Sequence, residues 1–73
     1  MARLHTALRE LRLAKGITQE ALGEAVGVTR QTIIAIEKQK FAPSVRLALE
    51  LARVLRVPLE DVFWLTNANG KAL

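Results

Sequence analysis

The residues best suited to a chemical task lie in the segment GVTRQTIIAIEKQK, which has the character of a helix. At about 100° per helical residue, Arg30, Gln31 and Ile34 share one arc. Ile33 and Ile36 fall on the opposite side, where they are expected to pack inward. In the major groove, arginine pairs with guanine or a phosphate, glutamine with adenine, and an aliphatic side chain with the thymine methyl group. The outward arc is therefore a candidate base-reading surface, and a solvated helix face with one stray isoleucine is the alternative.

Length and charge indicate one small, basic domain. The chain has 73 residues, 51% of them hydrophobic, and eleven Lys/Arg against seven Asp/Glu give a net charge of +4. A basic domain of this size favours a nucleic-acid partner, although general solubility would also account for the charge. The chain has no cysteine for disulfides or cysteine-based metal sites. No apolar run approaches the roughly 20 residues of a membrane span, so no membrane association is expected and the expected location is the cytoplasm.

The apolar spacing predicts an all-α fold of five helices within a single domain, residues 1–73. The first helix is expected to include Leu4 and to end near Gly16. Val45 is assigned to the core, and no strand is predicted. The polar tail, about residues 67–73, is expected to be flexible. The later helices are expected to begin at residues that favour helix N-termini, namely Thr18, Thr29, Ser44 and Pro58.

A short bend connects the second and third predicted helices, which together span about residues 18–37. Gly27 can adopt the left-handed backbone that ends a helix. Gly23 is a small residue where two steeply crossing helices would meet, and Val28 would seal the bend. A helix, a short glycine-containing bend and a second helix are typical of a helix-turn-helix, although another helical hairpin could show the same pattern.

The run GITQEALGEAVGVTRQTIIAIEKQKFAPSVRLALELARVLRVPLEDVFWL resembles the Cro/cI (Xre) type helix-turn-helix regulators, in particular their short, stand-alone bacterial members. The resemblance covers about Leu8–Leu65. It rests on Thr-Gln at the start of the second helix, Gly-Val-Thr-Arg-Gln-Thr-Ile at the start of the third, Ile-Glu at its end, a basic loop before Pro-Ser, and Glu-Asp-Val-Phe. The resemblance implies a five-helix, lambda-repressor-like DNA-binding domain that forms a homodimer on a two-fold operator and regulates transcription, usually by repression.

The resemblance also implies roles for particular positions. Arg30 and Gln31 would read bases. Ile34 departs from the family, where this position is more often small or polar, and would add a contact to a thymine methyl group. Arg12 and Glu37 would pair with each other and brace the first helix against the end of the third. The residues implied at the DNA backbone are Gln19, Thr32, Lys38, Gln39, Lys40 and Ser44.

Leu49 on the fourth predicted helix remains once the core positions are assigned, and Trp64 and Leu65 follow at the end of the last predicted helix. A tryptophan on a short terminal helix suggests an interface anchor, and its burial under the tail is the alternative. These residues are therefore the expected homodimer interface. A dimer would place two recognition helices about 34 Å apart, which is one turn of the DNA duplex.

Catalysis is not expected, because the sole serine, Ser44, and the sole histidine, His5, are too far apart in the chain to suggest a nucleophile and its base. No metal site and no cofactor are expected either. The predicted function is therefore sequence-specific binding of double-stranded DNA, as a transcriptional regulator that acts as a repressor. Two alternatives are the antitoxin of a toxin–antitoxin pair, which would bind DNA and a toxin protein, and a helical domain that binds only proteins.

Overall fold

Five helices and a two-stranded antiparallel ribbon make up the fold in the computed structural model, which describes residues 2–73. The elements are β1 (Arg3–Thr6), α1 (Leu8–Ala14), α2 (Gln19–Val26), α3 (Arg30–Glu37), α4 (Val45–Leu55), α5 (Leu59–Val62) and β2 (Phe63–Thr66). The prediction of five helices is confirmed, but the ribbon makes the all-α class only approximate.

The ribbon replaces the outer ends of the first and last predicted helices. Leu4, expected in a helix, lies in β1 opposite Leu65, and Trp64 lies in β2 opposite His5. The Val62 carbonyl closes the junction, because it accepts hydrogen bonds from the Thr6 hydroxyl at 2.8 Å and from the Ala7 amide at 3.0 Å. The prediction of no strand was wrong because the partners lie more than 50 positions apart in the chain, where helical spacing carries no information.

The predicted helix starts are confirmed by their caps. The Thr18 hydroxyl accepts a hydrogen bond from the Ala21 amide at 3.0 Å, and the Ser44 hydroxyl accepts one from the Leu47 amide at 3.1 Å. Thr29 caps α3 in the same way, and α5 begins directly after Pro58. Each hydroxyl satisfies an amide that has no partner inside its own helix, so local chemistry fixes where α2, α3 and α4 begin.

The core joins the helices to β2. Val45 was expected in this core, but it is 76% exposed and this assignment was wrong. As the first residue of α4, Val45 instead borders an open apolar groove beside the ribbon. The buried apolar side chains are Leu8, Leu22, Val26, Ile33, Ile36, Leu51, Ala52, Leu55, Val62 and Phe63.

Two glycines set the bend between α2 and α3. Gly27 ends α2 with φ of 79°, in the left-handed region. Gly23 lies against the bend, where a Cβ atom would be only 2.7 Å from the Val28 carbonyl oxygen. The Val28 amide in turn donates to the Gly23 carbonyl at 2.9 Å. The close approach of these backbones gives α3 its orientation relative to α2, as the small residue at Gly23 predicted.

The tail makes backbone contacts with itself and with β2. The Asn67 side-chain oxygen accepts hydrogen bonds from the amides of Asn69 and Lys71 at 2.9 and 3.0 Å. The Leu73 amide donates to the Leu65 carbonyl at 3.0 Å. The flexibility of residues 67–73 stays a prediction, and these contacts give the tail a defined path.

Candidate nucleic-acid interface

The outward face of α3 has the composition that the helical spacing predicted. Ile33 and Ile36 are 0% and 1% exposed, so they belong to the core. Arg30 and Gln31 are exposed, and Ile34 is partly exposed between its neighbours. This division of the two adjacent isoleucines is confirmed. Base reading by the three outward residues stays a prediction, because it concerns a partner.

A buried ion pair braces α3 against α1. The Arg12 Nε atom donates to the Glu37 Oε2 atom at 2.7 Å, and the Arg12 Nη2 atom donates to Oε1 at 3.3 Å. The Arg12 Nη1 atom donates to the Ile17 carbonyl at 2.9 Å. The pairing implied by the family resemblance is confirmed. The pair holds the end of α3 in place, because separating Arg12 from Glu37 would leave a buried charge uncompensated.

Gln19 connects α2 to the same buried ion pair. Its Nε2 atom donates to the Glu37 Oε1 atom at 3.1 Å, so its side-chain amide is turned towards α3. The resemblance implied only a contact between Gln19 and DNA. The bond to Glu37 was missed, because no local pattern links residues 18 positions apart. Gln19 still begins α2, where free amides and the helix dipole favour an anion.

An open groove of about 440 Å³ lies at the N-terminus of α2. Arg9 and Arg30 line it together with Gln19 and the carboxylate of Glu20, so cations from α1 and α3 flank the amides that begin α2 and outnumber the one acidic group. This arrangement suits a phosphate. Sequence reasoning missed Arg9, because its position beside the start of α2 depends on how the helices pack.

The other residues expected to contact the DNA backbone differ in their exposure and in their contacts within the protein. Lys38 and Lys40 are exposed. Gln39 has φ of 59°, and its side-chain oxygen accepts a hydrogen bond from the Thr6 amide at 3.3 Å, so it connects this loop to β1. Ser44 is exposed and caps α4. Thr32 is partly buried, with its hydroxyl 3.3 Å from that of Thr29.

The expected dimer residues lie on an apolar surface. Leu49 and Leu65 are 51% and 50% exposed, and Trp64 is partly buried with its ring centroid 5.7 Å from that of His5. Trp64 and Leu65 border an open apolar groove of about 270 Å³ together with Leu4. The structure therefore brings Trp64 and Leu65 together, whereas Leu49 lies outside this groove.

Glu50 and Arg53 form an exposed ion pair on α4. The Arg53 Nε and Nη2 atoms donate to the Glu50 carboxylate at 3.1 and 3.2 Å. This hydrogen bond, reinforced by the opposite charge, lowers the pKa of Glu50 below its usual value and raises the pKa of Arg53. Both groups therefore keep their charges near neutral pH. Neither belongs to the face of α3 that would meet DNA.

Within residues 2–73, no group of three or more acidic or histidine side chains is placed to hold a metal ion. No helix in the same part of the chain is long and apolar enough to cross a membrane.

The described geometry defines a class of protein. An exposed helix that carries Arg30 and Gln31, held across a second helix by a short glycine bend, is the arrangement of helix-turn-helix domains that bind DNA. The helix-turn-helix family model matches residues 8–62. The chain therefore belongs to the Cro/cI-type helix-turn-helix family of DNA-binding transcriptional regulators.

Similar sequences of nearly the same length occur in distant organisms. The chain is 52% identical over 62 residues to the HTH-type transcriptional regulator YgzD of Bacillus subtilis, a match that covers 85% of this chain and 94% of that protein. It is 51% identical over 69 residues to an HTH-type transcriptional regulator of Methanothermobacter thermautotrophicus, with 93% and 100% covered.

Solved structures support the same fold. The restriction-modification controller protein C.AhdI from Aeromonas hydrophila superposes with a TM-score of 0.69 at 35% identity, covering 74% of this chain and 78% of that one. The clp gene regulator ClgR from Corynebacterium glutamicum gives a TM-score of 0.72 at 29% identity, covering 75% and 58%.

Proposed function

We propose that the protein binds double-stranded DNA sequence-specifically, as a homodimer on a two-fold operator, and that it represses transcription in the cytoplasm. The observation that supports this most is the outward face of α3, where Arg30 and Gln31 are exposed while Ile33 and Ile36 are buried. A helix of this kind enters the major groove with its first residues against base edges.

Direct readout is assigned to three residues of α3. Arg30 would pair with the O6 and N7 atoms of guanine, and Gln31 with the N6 and N7 atoms of adenine. Ile34, one turn after Arg30, would contact the methyl group of thymine. These contacts require α3 to keep its position, which the buried bonds of Glu37 to Arg12 and Gln19 support.

Phosphate contacts would hold α3 in register. The groove between Gln19 and Arg30 at the start of α2 suits one phosphate. Lys38 and Lys40 follow α3 and are exposed for others. The remaining proposed backbone contacts are Thr32, Gln39 and Ser44. Because each such contact releases counterions, affinity should fall steeply with salt.

The homodimer is proposed to form through the apolar surface of Leu49, Trp64 and Leu65. Exposed apolar side chains beside a partly buried tryptophan suit an interface core. Two copies related by a two-fold axis would place their α3 helices about 34 Å apart, on successive major grooves of one duplex face.

Selection of bound duplexes from a random pool tests this function. The expected result is an inverted repeat whose half-site centres lie about 10 base pairs apart, with A·T and G·C pairs at the positions of Gln31 and Arg30. Enrichment of direct repeats, or of no sequence, would contradict the proposal of a two-fold sequence-specific regulator.

An antitoxin that binds DNA and a toxin protein is the second candidate. The observation that favours it is the open apolar groove between Leu4, Trp64 and Leu65, which another protein could cover as well as a second copy could. Sedimentation of the pure protein distinguishes the two. A stable homodimer at micromolar concentration supports the first function, and a monomer with this surface open supports the second.

A further inference from the structure

A third open cavity, of about 570 Å³, lies between the ribbon, the loop after α3 and the tail. Its volume falls within the roughly 300–1,000 Å³ of small-molecule sites. The loop that forms one wall carries Lys38 and Gln39, which the proposed function places at the DNA backbone. The cavity therefore adjoins the DNA-binding surface without including the base-reading residues Arg30 and Gln31.

The charge around this cavity has one sign. Arg3, His5 and Lys38 line it, and no aspartate or glutamate does so in the part of the chain that the structure describes. Neither Arg3 nor Lys38 forms an ion pair with a carboxylate within residues 2–73. Two unpaired cations and an imidazole around one space favour an anionic ligand.

The other walls are apolar or can donate hydrogen bonds. Phe41, which is 49% exposed, supplies most of the apolar surface, and the buried side chains of Ile36 and Phe63 lie behind it. The Gln39 side-chain oxygen is used by the Thr6 amide, so its amide nitrogen remains available to donate. A cavity with a cationic rim, aromatic walls and an amide donor suits an organic anion whose body is apolar.

We propose that this cavity binds a small organic anion, a carboxylate or sulfonate on an aromatic or aliphatic body, and that the bound anion weakens DNA binding. The second half rests on the proposed function, because Lys38 would be shared between the ligand and a DNA phosphate. The bond from Thr6 to Gln39 couples the cavity wall of β1 to the same loop. Ligand binding in the cavity would thus allow a small molecule to regulate the DNA affinity of this chain.

The site itself is tested without DNA by NMR titration of the ¹⁵N-labelled full chain. Indole-3-acetate is the probe, and tryptamine, which has the same ring system but a positive charge, is its matched control. Indole-3-acetate is expected to shift the amide signals of Thr6, Gln39 and Asn67 saturably, and tryptamine is not. Equal shifts by both probes, or shifts elsewhere only, would overturn the anion site.

A pair of variants with the same charge change tests the assignment of the rim. Arg3→Gln removes a cation that lines the cavity, so indole-3-acetate should bind about fivefold more weakly. Arg56→Gln removes an exposed cation outside the cavity and should leave the affinity unchanged. Equal affinities for the two variants would contradict the site.

The coupling is tested by fluorescence anisotropy on a selected duplex. The potassium salt of indole-3-acetate should lower DNA affinity for the wild-type protein more than potassium chloride at the same concentration, which controls for ionic strength. The effect should shrink in Arg3→Gln and persist in Arg56→Gln. If the duplex binds and both salts lower DNA affinity equally, the proposed coupling between the cavity and DNA binding is wrong, while the proposed DNA-binding function stands. If no duplex binds, the proposed function fails, and the NMR titration alone judges the cavity.

Discussion

Glu37 is the residue on which the position of α3 depends most. Its side chain is 3% exposed, and its carboxylate accepts hydrogen bonds from Arg12 and Gln19. Three helices therefore meet at one buried negative charge. Such a group adds little net stability relative to a well-packed apolar side chain, but its loss leaves a buried guanidinium without compensation.

Replacing Glu37 by glutamine tests this dependence. Glu37→Gln is expected to cost about 3 kcal/mol of unfolding free energy, because Arg12 stays buried opposite a neutral amide. Urea denaturation followed by circular dichroism measures the loss. Glu50→Gln is the matched control, since it removes the same charge from the exposed pair with Arg53 and should change stability little. Similar losses in both variants would show that burial of the pair is unimportant.

Substitution of Gln31 and of Lys40 should have different effects on DNA affinity, because Gln31 is proposed to read a base and Lys40 to contact a phosphate. Gln31→Ala is expected to cost about 1–3 kcal/mol at a selected site and to relax preference at one base pair. Lys40→Ala should weaken all duplexes alike and flatten the salt dependence of binding. Fluorescence anisotropy at two salt concentrations measures both effects. Identical behaviour of the two variants on specific and random duplexes would refute the assignment of readers.

Residue burial on α3 was predictable, because it follows from the helical repeat alone. The separation of Ile33 from Ile34 needs only about 100° per residue. The contact of Gln19 with Glu37 was not predictable, and neither was the arrival of Arg9 at the start of α2. Both depend on how helices pack, which local spacing does not encode.

At the scale of secondary-structure elements, the crossing of α2 and α3 is the feature that presents the DNA-binding face. The crossing depends on the absence of a side chain at Gly23, because a Cβ atom added there would lie only 2.7 Å from the Val28 carbonyl oxygen. Alanine at this position would gain about 1 kcal/mol of helix propensity but would push the two backbones apart. The choice of glycine thus sacrifices local stability for close packing.

A branched side chain at this crossing should be poorly tolerated. Gly23→Val is expected to lower the unfolding free energy by about 2–3 kcal/mol, because its methyl groups overlap backbone atoms that cannot rotate away. Ala25→Val, at an exposed position of the same helix, introduces the same branched side chain without the overlap. It should cost about 0.5 kcal/mol. Thermal or urea denaturation distinguishes the two, and equal costs would argue against the close approach.

The elements were predictable where their signals are local. Caps at Thr18, Thr29 and Ser44 mark helix starts because each hydroxyl bonds an amide three positions on. The ribbon was missed because Leu4 and Leu65 have helix-compatible spacing, and only pairing of the two ends selects the extended conformation. The same omission misplaced Trp64, which belongs to a strand.

At the scale of the whole molecule, the apolar surface beside the ribbon is the feature that favours association with another protein. Leu65 is half-exposed, and Val45 is 76% exposed. Exposed apolar side chains around a groove are typical of a protein interface. A single module of this size makes few contacts with DNA, so pairing through this surface would also supply much of the affinity.

A charge on this surface should therefore separate the subunits. If the proposed homodimer forms through this surface, Leu65→Glu is expected to convert it into a monomer in sedimentation velocity and to abolish tight binding to a two-fold duplex. Leu13→Glu, which alters a similarly exposed leucine on α1, should leave both properties unchanged. If Leu65→Glu stays dimeric, the interface lies elsewhere on the molecule.

The pairing of β1 with β2 also governs when the protein can finish folding during synthesis. The ribosome makes β1 before the helices and β2 after them, so β1 has no partner while α1 to α4 emerge. The helix-turn-helix unit depends on contacts between neighbouring elements and can form earlier. We expect the nascent chain to carry a formed helix-turn-helix while β1 stays unpaired, and β1 to be secured only after β2 has been synthesised.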